Sequence, residues 1–139
     1  MNAPYDYNRI TRDVYGYKLP VAGNVVALLH VSFSDRGLRL IETKSRAVKK
    51  GEIHELMITD EKAVPGGGAD RVRALAFFEI EKPGLIVVGD LVKIGEIEIG
   101  FLAGYDETHM PNHMNIVVIA PSLDEPIIHV NDTVNFSSS

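Results

Sequence analysis

The chain has 139 residues, a formal net charge of −5 and no cysteine. The lack of cysteine excludes disulfides, thiolate zinc sites, iron–sulfur ligation and a cysteine nucleophile. Lys and Arg are scattered and do not form the dense positive field that nucleic acid binding needs, so no nucleic acid partner is expected. Hydrophobic residues make up 45% of the chain, which is typical of a soluble domain with its own core.

The two ends of the chain are polar extensions of a single expected domain. Residues 1–12 carry Tyr5 and Tyr7 but no apolar segment, so we expect a flexible arm and no signal peptide. The domain is expected over residues 13–136, with a serine tail at 137–139. No apolar run approaches the roughly 18 residues of a membrane helix, so we expect a cytoplasmic protein without a membrane partner. An arm that carries tyrosines is also compatible with a homodimer.

Alternating apolar residues predict a strand near the start of the domain. Over residues 25–33 the odd positions are apolar, whereas His30 and Ser32 fall on the other face. A period of two is typical of a half-buried strand. Residues 34–37, Ser-Asp-Arg-Gly, have the composition of a tight turn. We therefore expect residues 38–43 to form the hairpin partner of this strand.

The second half of the chain predicts further strands with two irregular features. The apolar phase inverts at Gly95, which favours a β-bulge or a sharp bend at that position. The run Ile116–Ala120 is apolar without alternation, so we expect a strand that is covered on both faces. A last strand is expected over residues 128–136, with His129 on its polar face and an interruption or kink at Asn131-Asp132.

The fold class follows from the number and length of these segments. About eight to ten short strands, separated by Gly, Pro and Asp turns, predict an all-β fold with little helix. A small antiparallel β-barrel, closed or partly open, is the architecture we expect, because closure hides the edges of strands rich in Val and Ile.

The strongest candidate site is a polar cluster directly before the strand at Ile116–Ala120. Its members are Asp106, Glu107, His109, Asn112 and His113. We expect this segment to be a rim loop that binds a small polar ligand, such as a sugar or polyol, or a protein partner. The alternative is a purely structural turn, in which Asp106 and Asn112 bond to backbone groups and Pro111 fixes the bend.

A metal site is a further hypothesis for the same cluster. His109 and His113 are four residues apart, and imidazole with nearby carboxylates suits zinc or a similar divalent ion. Pro111 argues against a regular helix between them. His129 is a candidate third ligand, and Asp106 or Glu107 would be the base of a metal-assisted enzyme. No other cofactor is expected.

The glycine-rich loop that ends in Asp70 is the second candidate. Consecutive glycines at 66–68 can bring backbone amides around an anion. No Lys-Ser/Thr pair follows, and the next element is predicted to be a strand, so a hairpin or lid is favoured over a phosphate-binding loop. Arg71 and Arg73 could bind an acidic ligand from the base of this loop.

The last 55 or so residues resemble a known family in the order of their glycines and strands. The resemblance rests on Pro83-Gly84-Leu85, on Ile99-Gly100 with Gly104, on His113-Met114-Asn115-Ile116-Val117-Val118, and on His129-Val130 with Asp132-Thr133-Val134-Asn135-Phe136. In this order they are similar to the glucitol/sorbitol-specific IIA component of the phosphotransferase system.

The resemblance implies a small all-β barrel, which agrees with the strand pattern. The family carries its phosphoryl group on a histidine shortly before the segment that matches Pro83-Gly84-Leu85. The corresponding residues here, 76–82, contain no histidine. The chain is therefore interpreted as a divergent relative or as a member of an uncharacterised bacterial family of the same shape. His54 is the candidate phosphoryl acceptor if the function is retained.

Overall fold

The computed structural model describes residues 17–139, so the predicted arm at 1–12 and the first residues of the predicted domain lie outside the described residues. Within the described part, no helix is long and apolar enough to cross a membrane. The strands are β1 (Val21–Phe33), β2 (Leu38–Arg39), β3 (Ser45–Val48), β4 (Ile53–Thr59), β5 (Gly68–Ala69), β6 (Val72–Lys82), β7 (Gly84–Val87), β8 (Leu91–Ile94), β9 (Ile97–Asp106), β10 (Asn115–Ile119) and β11 (Thr133–Ser137).

Seven of these strands close into a ring in the order β1-β11-β8-β9-β10-β4-β6. The predicted all-β fold is confirmed. The expectation that all neighbours would be antiparallel is wrong at one place, because β4 and β10 pair in parallel. The short strands form two separate pairs, β2 with β5 and β3 with β7.

The ring has apolar residues packed on both sides of its wall. The ring core includes Leu56, Phe78 and Phe136. The outer core is a second cluster, which includes Leu40, Met57 and Val117. Leu40 follows β2, and the outer core therefore lies between the ring and the segments that hold β2 and β5.

Strand β10 confirms the prediction of a strand covered on both faces. Its residues alternate between the two cores, with Ile116 and Val118 in the ring core and Val117 in the outer core. A strand with apolar neighbours on both faces has no position for a polar side chain, which explains the missing alternation.

Strand β1 differs from its prediction because a bulge inverts its faces. Val25 pairs with Phe78, and the next paired residue is Ala27, which pairs with Phe77. Val26 is therefore an extra residue, and such an insertion moves the side chains that follow it to the other face. A further register shift lies between Leu28 and Val31. Val25 lies in the ring core and Leu29 packs against the outer core, although both have odd numbers.

One other expectation for the chain path is wrong, because the partner of β1 after the turn is β6, whereas β2 pairs with β5. Gly95 lies in the turn between β8 and β9 with a φ of 58°, so of the two alternatives the inverted phase marks a sharp bend and not a bulge. The last strand begins at Thr133, and Asn131 before it has a φ of 76°, so the chain is interrupted at the predicted place and residues 128–130 lie outside the strand.

A buried ion pair lies at the start of the described chain. The Lys18 Nζ is 2.8 Å from the Asp90 Oδ2, and both side chains are buried. Asp90 Oδ2 also accepts a hydrogen bond from the amide of Val87. Burial raises the pKa of Asp90, although Lys18 and the Val87 amide act to lower it. The pair thus joins the segment before β1 to the turn between β7 and β8.

We expect Lys18→Met to destabilise the protein by about 3–5 kcal/mol, because removal of one partner leaves the other charge buried without compensation. Urea unfolding followed by circular dichroism measures the change. The matched control is Lys62→Met, at an exposed lysine, for which we expect a change within about 0.5 kcal/mol. Equal midpoints for the two variants would contradict this role of the pair.

Candidate functional site

Four neighbouring strands present one row of side chains on the outer face of the ring. Asp106 of β9 pairs with Asn115 of β10, Asn115 with Glu55 of β4, and Glu55 with Phe77 of β6. Asn115 and Glu55 each stand two residues before a member of the outer core, so their side chains point to the same face as that core. We call Asp106, Asn115, Glu55 and Phe77 the cross-strand row.

The segment between β9 and β10, residues 107–114, folds back over this row. We call it the histidine loop. Its backbone bonds are those of turns: the Met110 amide donates to Glu107 O, and the Asn112 and His113 amides donate to His109 O. The predicted absence of a regular helix around Pro111 is confirmed.

Asp106 fixes both the row and the loop. Its carboxylate is buried and accepts hydrogen bonds from the Arg39 amide at 2.8 Å, the Thr108 amide at 2.9 Å and the Asn115 Nδ2 at 3.2 Å. Burial acts to raise the pKa of Asp106, but the hydrogen bonds from Thr108, Arg39 and Asn115 outweigh it and hold the pKa below its usual value.

His113 joins the histidine loop to the row. The Asn112 Nδ2 lies 2.9 Å from the His113 Nδ1. Because an amide nitrogen only donates, Nδ1 is the acceptor and Nε2 carries the hydrogen. That Nε2 is 3.3 Å from the Glu55 Oε1. The imidazole also packs edge-to-face on Phe77, with 5.0 Å between the ring centroids.

Two buried polar atoms of this cluster lack a hydrogen-bond partner. They are the His113 Nε2 and the Asn115 Oδ1. The contact of Nε2 with Glu55 is close enough for an ion pair but does not meet hydrogen-bond geometry. An unused donor thus lies 3.3 Å from the Glu55 carboxylate, and an unused acceptor belongs to the register partner of Glu55. Such buried groups in a native protein call for a partner.

The exposed residues of the histidine loop contact cations from elsewhere in the chain. Arg36 Nη2 donates to the His109 Nε2 at 3.3 Å, and the His109 ring lies 5.1 Å from that of His113. Glu107 pairs with Arg46. The predicted residues Asp106, Glu107, His109, Asn112 and His113 thus all lie in or at the edge of one contiguous structure.

The predicted residues Arg71, Arg73 and His129 contact other parts of the chain and not the cross-strand row. Arg71 makes two hydrogen bonds to the Asp60 carboxylate, which hold the pKa of Asp60 below its usual value. Arg73 Nε donates to Leu123 O at 2.6 Å. His129 lies in a turn, with its Nδ1 3.7 Å from Asp132.

The three predicted histidines do not form a metal centre. Among residues 17–139, no group of three or more His, Asp or Glu side chains has an arrangement that could hold a metal ion. His54, the candidate phosphoryl acceptor, is buried. Its Nδ1 accepts from the Met114 amide, and its Nε2 lies 3.0 Å from the Glu52 carboxylate.

The glycine-rich loop uses its amides internally. The Gly66 amide donates to Leu40 O and the Gly67 amide to Val64 O, at 3.0 and 2.9 Å. Gly68 belongs to β5 and pairs with Arg39. The loop lines an open groove of about 370 Å³ next to β2, but Gly66 and Gly67 leave no free amide there for an anion. The favoured hairpin interpretation agrees with this arrangement.

The sequence did not identify Glu55, Phe77, Asn115 or Arg36 as site residues. Glu55 is a single charge among the apolar residues of β4, which is the only local signal of the four. The other three look like ordinary strand or turn residues until the parallel register of β4 and β10 is known.

Comparison with known proteins places the chain in a defined group. Residues 15–137 match the model of a family of unknown function, DUF6917. No curated protein matches the chain, and no solved structure does. The resemblance to the glucitol/sorbitol-specific IIA component therefore stays a prediction.

We expect Asp106→Asn to destabilise the protein by about 1–3 kcal/mol at neutral pH, because the hydrogen bonds of a charged acceptor are lost. The folded pKa of Asp106 is below its unfolded value. Its contribution is therefore complete above the unfolded pKa of about 3.9 and is lost as the pH falls through the folded pKa. The difference between variant and wild type should shrink below about pH 4.

Urea unfolding at a series of pH values tests this expectation. Asp124→Asn, which changes an exposed aspartate in the loop before β11, is the matched control. If the difference in the free energy of unfolding between wild type and Asp106→Asn stays constant down to the lowest pH, the charge of Asp106 is not the cause of the destabilisation.

Proposed function

The chain belongs to the DUF6917 family, whose function is unknown, and from its site we propose that it is a binding protein for a small neutral polyhydroxyl ligand of the sugar or polyol type. The ligand would lie on the cross-strand row beneath the histidine loop. The observation that carries the proposal is the pair of buried, unpartnered atoms, His113 Nε2 and Asn115 Oδ1.

A hydroxyl group complements this pair chemically. The His113 Nε2 is a donor and the Asn115 Oδ1 is an acceptor, and a hydroxyl is both an acceptor and a donor. The Glu55 carboxylate, 3.3 Å from the His113 Nε2, offers a second acceptor for an adjacent hydroxyl. A ligand with two neighbouring hydroxyls would therefore satisfy groups that otherwise remain buried at a cost of about 1–3 kcal/mol each.

An aromatic side chain lies beside these polar groups. Phe77 is half-buried and is the register partner of Glu55. Ligand sites commonly combine aromatic surface with a few fixed polar groups. A sugar or polyol has both apolar C–H surface and hydroxyls, so it matches a phenyl ring next to a carboxylate, an imidazole and an amide.

The charges of the row favour a neutral ligand over an anion. Glu55 and Asp106 are both carboxylates on the row, and the pKa of Asp106 is held below its usual value, so it is ionised at neutral pH. A phosphate or carboxylate placed beside them would meet like-charge repulsion in a partly desolvated region. Inorganic phosphate is for this reason the negative probe.

Entry of a ligand requires the histidine loop to move. The two unpartnered atoms are buried, whereas Thr108, His109 and Met110 in the loop are exposed. In residues 107–112 the backbone bonds are a few turn contacts, whereas His113 and Met114 are buried and bind the end of the loop to β4. Segments with few buried contacts, such as residues 107–112, open at low free-energy cost. The loop is therefore suited to act as the cover of the site.

We expect glucitol or glucose to raise the midpoint of thermal unfolding, and sodium phosphate at the same ionic strength not to do so. A ligand at 100 times its Kd stabilises the folded state by about 2.7 kcal/mol. Glu55→Gln should weaken binding at least about tenfold, since hydrogen bonds to charged groups contribute roughly 1.5–3 kcal/mol. Isothermal titration calorimetry measures the affinity.

Glu79→Gln is the matched control, because Glu79 is a half-buried glutamate of β6 that pairs with β4 at Ile53 and lies outside the row. Its affinity should equal that of the wild type. Stabilisation by phosphate but by neither polyol nor sugar, or equal weakening in the two variants, would refute the proposed site.

A further inference from the structure

The outer half of β1, residues 26–33, has one edge that no other strand of the ring pairs with in the described part of the chain. β11 pairs with β1 only at residues 21–24. At Val25, the pairing continues through backbone hydrogen bonds with Asn131 and Asp132. Among residues 17–139, the backbone bonds of residues 26–33 go only to β6 on the other side. Eight residues of extended strand, about 26 Å long, thus have one unpaired edge within the described chain.

Five of the thirteen exposed large apolar side chains of the described residues lie on or beside this edge. Val26, Val31 and Phe33 belong to the open half of β1, and Ile127 and Val130 belong to the segment that reaches Val25 through Asn131. Apolar surface gathered in one place on a soluble domain marks an interaction site. Apolar groups and unpaired backbone groups together specify an extended strand as the complement.

The edge lacks the charges that normally protect such a strand. Residues 26–33 contain no Lys, Arg, Asp, Glu or Pro, and His30 is engaged by Glu125. The short strands β2 and β3, by contrast, carry Arg39 and Arg46. Natural proteins protect exposed edges with charge, proline, a β-bulge or a covering segment. This stretch has the bulge at Val26 but neither charge nor proline.

We propose that the outer half of β1 pairs antiparallel with the same strand of a second copy of this chain, which gives a two-fold dimer with a sheet continuous across the axis. The net charge of −5 makes most surfaces of two copies repel each other. Residues 26–33 contain no Lys, Arg, Asp or Glu, so two of these strands can pair antiparallel in any register without placing like charges opposite each other. Identical edges satisfy the self-complementarity that a two-fold interface demands.

The side chains fit such an interface. Leu29 packs on the outer core, and Val31 and Phe33 are paired with two residues of β6 that belong to that core, so their side chains point to the same outer face. The Arg36 guanidinium lies 5.7 Å from the centroid of the Phe33 ring, at the end of this face. Paired about a two-fold axis, two such faces join into one apolar surface. Interfaces of this kind need about 800 Å² from each partner, and Ile127 and Val130 extend the contact beyond the strand itself.

Sedimentation velocity of the full chain over a range of concentrations tests the dimer. We expect a dimer whose dissociation constant rises at least tenfold in Val31→Lys, since the substitution places one lysine from each copy in the apolar interface. Ile97→Lys is the matched control, because Ile97 is 38% exposed and Val31 39%. The control should associate as the wild type does, and circular dichroism verifies that both variants fold.

A wild type that stays monomeric at all concentrations overturns the proposal, and so does a dimer that Val31→Lys and Ile97→Lys weaken equally. A monomer would instead indicate an occupant from the same chain or another partner. The chain has no cysteine, so a nitroxide label at Ser32→Cys reports on this edge alone. Dipolar broadening at Ser32→Cys without broadening at Glu98→Cys is expected, and its absence in the dimer would place the interface elsewhere.

Discussion

The buried carboxylate of Asp106 is the constraint on which the site depends. It binds the backbone of Arg39 in β2, the backbone of Thr108 in the histidine loop and the side chain of Asn115 in β10. The three donors belong to three different segments of the chain, and all three bind the one carboxylate. A single charged acceptor therefore sets the position of the outer strand, the start of the loop and the orientation of one amide together.

The strands beneath the row are held from both sides. Ile116 and Val118 of β10 lie in the ring core, and Val117 lies in the outer core, so β10 cannot shift without disturbing both. The same is true of β4, where Leu56 and Met57 are divided between the two cores. Glu55 and Asn115 thus project from strands with little freedom, whereas His113 belongs to a loop. Such a fixed row is the rigid support that the proposed small-ligand site would need.

The sequence predicts one half of this site and not the other. Asp106 and His113 are visible because polar residues crowd directly before an apolar strand, and that local pattern survives in the fold. Glu55 and Phe77 become site residues only through the parallel pairing of β4 with β10, across some sixty residues of chain, which no local pattern encodes. The inverted face of β1 has a similar cause, because the extra residue Val26 leaves the alternation of apolar residues intact while it changes the side to which they point.

The His113 Nε2 and the Asn115 Oδ1 lack hydrogen bonds because of the contacts that their neighbours make. Rotation of the Asn115 amide would bring its oxygen against the Asp106 carboxylate, which now accepts from its nitrogen. The two oxygens would repel, so the amide is locked with its acceptor unused. The His113 ring is held in the same way, because Asn112 occupies Nδ1 and leaves the hydrogen on Nε2. The unused acceptor of Asn115 and the hydrogen on the His113 Nε2 thus follow from these neighbours, and the hydroxyl of the proposed ligand is the group that would satisfy them.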